Sequence, residues 1–517
     1  MIVIKYAAIS VLVAAALILA ARLVFALPGK GDIADTTALP PSQESPLWSS
    51  IAPMAAQHPG QSGVFPLLSG TDAFVARILL ARQAQSSIDA QYYIWNDDLT
   101  GTLLLDSLRS AAERGVRVRL LVDDNGVGGM DAQLAALNAL PHMEVRLFNP
   151  FVLRNPKPLN YLFDFFRLNH RMHNKSFTID NAASVVGGRN IGDEYFDTGP
   201  NSAFLDLDVL AVGAVVPKIS SDFDAYWASA SSYPVETIVA GDKAGLRKLD
   251  EALAGWSDTE QFKAYGAALR SSGLVTGLLE RSLALEWTSV RLVSDNPSKA
   301  LGNADVGDLM ITRLANLLEA PAEAVDLVSA YFVPGEEGTS QLAALARRGV
   351  RTRILTNSFE ATDVSLVHSG YAKYRRQLLE AGIELFELKS RRAPHAGREE
   401  LGYVGSSGSS LHAKTFAVDG DSIFVGSFNF DPRSALLNTE MGLMIESPAL
   451  AREMSVLFDG DLAGVSYRPM LLDDGALVWG ESDPAGEVEI HTVEPGTTMW
   501  SRALVIVAGW LPLEWML

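Results

Sequence analysis

Two histidines sit in the same local frame. His173 is followed by Lys175 and Asp180, then by Gly187-Gly188 and Asn190, and His412 is followed by Lys414 and Asp419, then by Gly426-Ser427 and Asn429. The two runs share every spacing. On a strand, residues i and i+2 project from one face, so each histidine and its lysine point the same way. Two imidazoles with two ammonium groups and two amides, and no carboxylate cluster among them, suit an anionic phosphoryl group. One imidazole would attack phosphorus, and the other would protonate the leaving oxygen and then deprotonate the incoming acceptor. Imidazole fits both tasks because its ordinary pKa lies near working pH. A lysine beside each histidine would repel a divalent cation, so no metal is expected.

The motifs need elements to hold them, and the chain supplies these twice. Ser87–Trp95 reads as a strand, Leu103–Arg114 as a helix and Val116–Val122 as a strand, a βαβ unit that implies a parallel sheet. Val325–Val333, Gln341–Arg348 and Val350–Leu355 repeat the pattern. ERGVRVRLL from Glu113 nearly superimposes on RRGVRTRIL from Arg347, and VRLF from Val145 on IELF from Ile383. With the two histidine motifs these make three anchors in the same order, so the chain reads as an internal duplication. The predicted organisation is a membrane or signal segment at 1–27, a Pro/Ser-rich linker at 28–61, a first lobe at 62–219, a helical insertion at 220–297, a second lobe at 298–470 and a C-terminal extension at 471–517.

A chain of 517 residues exceeds a single ordinary core. Cysteine is absent, which excludes disulfides, thiolate metal sites and a cysteine nucleophile. A net charge of −19 argues against clamping a nucleic-acid backbone. Tyr6–Ala21 is an apolar run of about 16 residues, near the length of a spanning helix, and apolar character resumes through Leu23–Leu27. A cleaved signal peptide with Lys5 in its first region is the alternative. With the N-terminus inside, everything after Leu27 would lie outside the cytoplasm. The stretch from Trp500 to Leu517, with Trp510 and Trp515, suits either an interfacial segment or a helix docked on the core, and Gly509 and Pro512 break it.

The paired motifs resemble the phospholipase D superfamily from about Ser87 to Ile445. Within it, QYYIWNDDLTG, GGRNIGDEYF and GSFNFDPRSALLNTEMGL are similar to bacterial cardiolipin synthases, and the segment from Leu477 resembles the branch that includes enzymes using phosphatidylethanolamine. The resemblance implies an α/β fold of two pseudo-duplicated lobes, each a mixed or parallel sheet flanked by helices. It implies a phosphohistidine on His173, formed without metal or cofactor, with His412 as general acid and base. It also implies a carboxylate downstream of each asparagine that orients a histidine: Glu440 in the second half, and Asp206, or else Asp208, in the first. Asp180 and Asp419 are expected to be strand-end partners rather than proton carriers. The substrates would be phospholipids in a membrane, with phosphatidylglycerol or phosphatidylethanolamine as donor. A hydrolase releasing phosphatidic acid and a nuclease are the alternatives, and any accessory protein stays undefined.

Overall fold

The computed structural model describes residues 2–31, 36–196, 206–241, 244–317, 321–362, 364–390, 411–482, 487–510 and 514–517; Pro512 lies outside them. In the first half β1 (Ser87–Ile94), β2 (Arg117–Gly126) and β3 (Met143–Phe148) run parallel. Beside β1, an antiparallel meander follows: β4 (Ser176–Ile179), β5 (Ala183–Gly187) and β6 (Asp208–Gly213). The second half repeats this. Parallel strands β7 (Ala324–Ser329), β8 (Arg351–Asn357) and β9 (Glu384–Leu388) adjoin the meander β10 (Lys414–Val418), β11 (Ser422–Gly426) and β12 (Met441–Ile445). The strand orders β3-β2-β1-β4-β5-β6 and β9-β8-β7-β10-β11-β12 are therefore equivalent.

Local chemistry explains why both halves fold alike. The crossover helix Leu99–Glu113 starts on Asp98, whose carboxylate accepts from the Gly101 amide. It ends at Gly115, with φ +95°, and its counterpart Gly335–Arg347 ends at Gly349, with φ +89°. Only glycine adopts this left-handed turn without strain, which is why the two segments match there. Each half also carries a buried bidentate ion pair between its first two parallel strands. Arg119 grips Asp89 at 2.7 and 2.8 Å, and Arg353 grips Asp326 at 2.6 and 2.7 Å. Removing one partner of such a pair leaves a buried charge, at a cost of about 3–5 kcal/mol.

One apolar cluster fills the first lobe and another the second. A third is shared: Val186, Val209, Ala211 and Ile219 of the first half pack with Val328, Val425, Leu443 and Ile445 of the second. The two meanders thus face each other across an apolar seam, and this brings the two histidine motifs to one place.

Four stretches differ from expectation. The predicted linker contains the helix Pro46–Gln57, which buries Leu47 and Ile51. Pro46 occupies the first turn, where a missing N–H costs nothing, and the apolar pair four residues apart gives the helix a core face. The predicted helical insertion also supplies strands. Ser232–Pro234 and Glu286–Thr288 edge the first sheet, and Val290–Ser294 edges the second. The C-terminal extension lengthens the second sheet with Leu477–Ser482 and Val488–His491. The apolar N-terminal run, expected as a membrane segment, forms the helix Ile2–Val24 and leaves Leu12 70 % and Leu23 74 % exposed. Among the described residues no helix is long and apolar enough to cross a membrane.

Candidate active site

His173 and Lys175 lie on the segment that leads into β4, and His412 and Lys414 occupy the same place before and at the start of β10. The His173 segment is stitched to the other half: its amide donates to the Thr439 carbonyl at 2.8 Å. Thr439 immediately precedes Glu440, so this bridge sets the carboxylate beside the imidazole. His173 Nδ1 lies 2.8 Å from Glu440 Oε2 and 3.1 Å from the Ser427 carbonyl. A carbonyl can only accept, so Nδ1 carries the hydrogen and Nε2 presents its lone pair. His412 Nδ1 lies 2.7 Å from Asp206 Oδ2. Each histidine is therefore held by a carboxylate of the opposite half. Asp208 serves elsewhere, accepting from Arg77 at 2.8 Å.

The glycine positions explain this placement. A Cβ on Gly188 would stand 2.3 Å from Asp206 Oδ1, so only glycine lets that carboxylate pass. In the other half the equivalent residue is Ser427, whose hydroxyl donates to Glu440 Oε2. The short acid is matched with glycine and the long acid with serine.

Both lysines turn their ammonium groups back onto the motif. Lys175 Nζ donates to the His173 carbonyl at 2.6 Å, and Lys414 Nζ donates to the His412 carbonyl and lies 3.4 Å from His412 Nε2. Burial, then Lys175 and Lys414, hold His173 well below its ordinary pKa. Burial and Lys414 bring His412 down to about 4, and Lys175 also contributes. The two lysines thus act on both histidines, which places all four groups in one field. Burial alone would raise Asp206, but His412, Arg189 and Lys414 outweigh it and hold the carboxylate ionised. Glu440 is pushed up to about 7 by burial, with Lys175 opposing. Among the described residues, Asn190 Nδ2, Asn429 Oδ1 and Glu440 Oε1 are buried without a hydrogen-bond partner. Unpaired buried polar atoms of this kind need a ligand or water to satisfy them.

Asp180 and Asp419 stand at the far ends of β4 and β10, away from the histidines. Asp180 accepts from the amides of Gln85, Ser86 and Ser87 and from the Ser45 hydroxyl at 2.6 Å. Asp419 accepts from the amides of Ala322, Glu323 and Ala324. Both fasten the loop that enters the first parallel strand of their half.

Two tyrosines complete the site, and neither is visible in the paired motifs. Tyr93 meets His173 edge-on, with ring centroids 5.1 Å apart, and Tyr195 meets His412 at 4.9 Å. A bulge between Tyr92 and Ile94 re-aims Tyr93. The histidines differ in access. The His412 side chain is 31 % exposed and that of His173 10 %.

A neutral imidazole with its Nδ1 tied can take a phosphoryl group at Nε2, and a second one, protonated at Nε2 from solvent, can give that proton to the leaving oxygen and take one back from the acceptor. The family described as "Cardiolipin synthase, PLD-like domain" matches residues 78–227 and 314–462, one block per half. The chain belongs to this family. It is 45 % identical over 471 residues to cardiolipin synthase C of Escherichia coli, covering 91 % of this chain and 99 % of the relative. It is 24 % identical to the probable cardiolipin synthase YwiE of Bacillus subtilis, over 84 % of this chain and 72 % of that protein. The crystal structure of phosphatidylserine synthase from Haemophilus influenzae aligns with a TM-score of 0.54 and 15 % identity, over 90 % of this chain and 99 % of that one. That likeness shows the shared fold of two mixed sheets flanked by helices.

Proposed function

We propose that this enzyme is a phosphatidyltransferase that makes cardiolipin. His173 Nε2 attacks the phosphorus of phosphatidylglycerol or phosphatidylethanolamine, and His412 delivers its proton to the leaving glycerol or ethanolamine oxygen. The primary hydroxyl of a second phosphatidylglycerol then loses its proton to His412 and displaces His173. The reciprocal pairing of His173 with Glu440 and of His412 with Asp206 carries this reading. The roles follow from access: the deeper histidine is kept for phosphorus, and the more exposed one exchanges its proton with arriving and departing alcohols. Lys175, Lys414, Asn190 and Asn429 would hold the phosphate oxygens.

Both lipids reside in a bilayer, and the surface agrees. The helix Ile2–Val24 docks its end on the helix Tyr161–Leu168, where Phe25 stacks on Phe163 at 5.3 Å. That second helix leaves Leu162 and Phe166 each 70 % exposed. These residues and the N-terminal helix would hold the enzyme on the membrane. Trp500, 84 % exposed, offers a second contact.

Purified enzyme in mixed vesicles of phosphatidylglycerol and phosphatidylethanolamine tests the reading, with products resolved by mass. Cardiolipin is expected from the wild type and not from His173→Ala or His412→Ala. Phosphatidic acid as sole product would replace the synthase with a hydrolase.

A further inference from the structure

The duplication predicts equivalent surroundings for the two histidines, but the residues just beyond each asparagine break the symmetry. Four positions after Asn190 stands Glu194, and four after Asn429 stands Arg433. Tyr195 occupies the next position in the first half, where the second half has Ser434. Arg433 adds positive potential at His173 and at Tyr93. On the His412 side an acid, Glu194, stands at the equivalent position. The Tyr195 ring stands against His412 at 70° to its plane, and the Tyr195 phenol and the Asn96 amide lie beside Glu194.

Three carboxylates adjoin there, but two are occupied. Asp98 accepts from the amides of Gly101 and Asp193, and Asp193 accepts from that of Thr100. Glu194 remains exposed at the rim, and among the described residues no lysine, arginine or histidine forms an ion pair with it. An aromatic ring with an unpaired carboxylate alongside is a seat for an alkylammonium ion.

We propose that Tyr195 and Glu194 bind the ammonium group of a 2-aminoethyl headgroup while His412 handles its ester oxygen, so that Glu194 decides how well the enzyme uses phosphatidylethanolamine as donor. This rests on the reading of His412 as the acid that meets the leaving alcohol. In that step the His173 Nε2–P bond forms and the P–O bond to ethanolamine breaks. The proton passes from His412 to the departing oxygen, and the ammonium group leaves unchanged. Phosphatidylglycerol, with no cation on its headgroup, draws nothing from Glu194.

The test is a competition in vesicles holding equal amounts of phosphatidylethanolamine and phosphatidylglycerol with acyl chains of different mass. The donor of each cardiolipin molecule is then read from its mass. Glu194→Gln is expected to lower the ratio of ethanolamine-derived to glycerol-derived product at least tenfold, and Glu194→Asp to recover part of it. Circular dichroism and thermal melts establish that each variant is folded. If Glu194→Gln unfolds, the wild type alone still decides. Saturable inhibition of its ethanolamine-derived product by free ethanolamine, and not by glycerol at the same concentration, would support the seat, and equal inhibition would overturn it. An unchanged ratio, or a wild type that uses only phosphatidylglycerol, overturns the proposal and leaves the synthase reading standing. A wild type that makes no cardiolipin from either donor overturns both.

Discussion

His412 of the second half hydrogen-bonds Asp206 of the first, Nδ1 to Oδ2 at 2.7 Å, and Asp206 stays ionised in spite of its burial. An ionised partner at Nδ1 fixes the tautomer and stabilises the imidazolium that forms when His412 takes a proton. Asp206→Asn keeps the shape and loses the charge. Its kcat is expected to fall by about 10²–10⁴-fold with little change in KM, in line with removal of a general acid or base. Steady-state rates beside an unchanged melting temperature would check this.

The histidines should fail differently. His412→Ala retains the nucleophile, so a rapid quench with a radiolabelled donor is expected to trap a phosphatidyl-enzyme that turns over slowly. His173→Ala should trap none. Label on both variants, or on His412 alone, would reverse the roles.

Glu440 links catalysis to stability. Burial raises its pKa to about 7, so between its ordinary value and 7 the folded state binds a proton that the unfolded state releases. The sign follows: stability from this group is present below the ordinary carboxylate pKa and is lost as pH rises through about 7. Glu440→Gln removes that loss. The variant should be more stable than wild type by ~3 kcal/mol at pH 8, since each pKa unit is worth about 1.4 kcal/mol, and should have no advantage at pH 4. It should also be inactive. Chemical denaturation at the two pH values reads the difference.

The contact of Gly188 with Asp206 yields a paired test. Gly188→Ala would drive a Cβ to within 2.3 Å of Asp206 Oδ1, so the acid must move and His412 with it. Activity is expected to fall about 10²-fold, the scale of a misplaced catalytic group. Gly188→Ser together with Asp206→Glu copies the Ser427–Glu440 arrangement and should recover more activity than either single change. A double variant no better than Gly188→Ala would refute the matching of acid to glycine or serine.

Asp180 and Asp419 should behave as fasteners. Asp180→Ala strands several donors in a buried place and is expected to cost about 2–4 kcal/mol, while its folded fraction keeps its kcat. Asp419 sits nearer solvent and should cost less. A loss of kcat at full folding would make either one a participant in the chemistry.

The site was legible in the sequence wherever local spacing determines it. His173, Lys175, Asn190 and their partners in the second half follow from period-2 strands and a repeated turn, which need no knowledge of the rest of the fold. Which half's carboxylate serves which histidine was not legible. It depends on how the two meanders close on each other through Val186, Val209, Val425 and Leu443, contacts between residues far apart in sequence. Asp206, preferred in the sequence, is separated from Asp208 by its bond to His412 and by the Arg77 pairing of Asp208, both long-range contacts. The helix Pro46–Gln57 was hidden by linker-like composition, although Ser45, Pro46, Leu47 and Ile51 carry its cap and its core face. Tyr195 had a signal that the motif comparison did not use: it follows Asn190 at a position where the other half has a small residue.

The crossing of the two carboxylates also bears on when the chemistry can begin. As the ribosome extends the chain, the first half emerges with His173 but without Glu440, and with Asp206 but without His412. Neither pair exists until the second lobe has emerged and docked along the seam. A partly made chain thus carries its catalytic pairs unassembled, and a product truncated before the second lobe would hold neither pair.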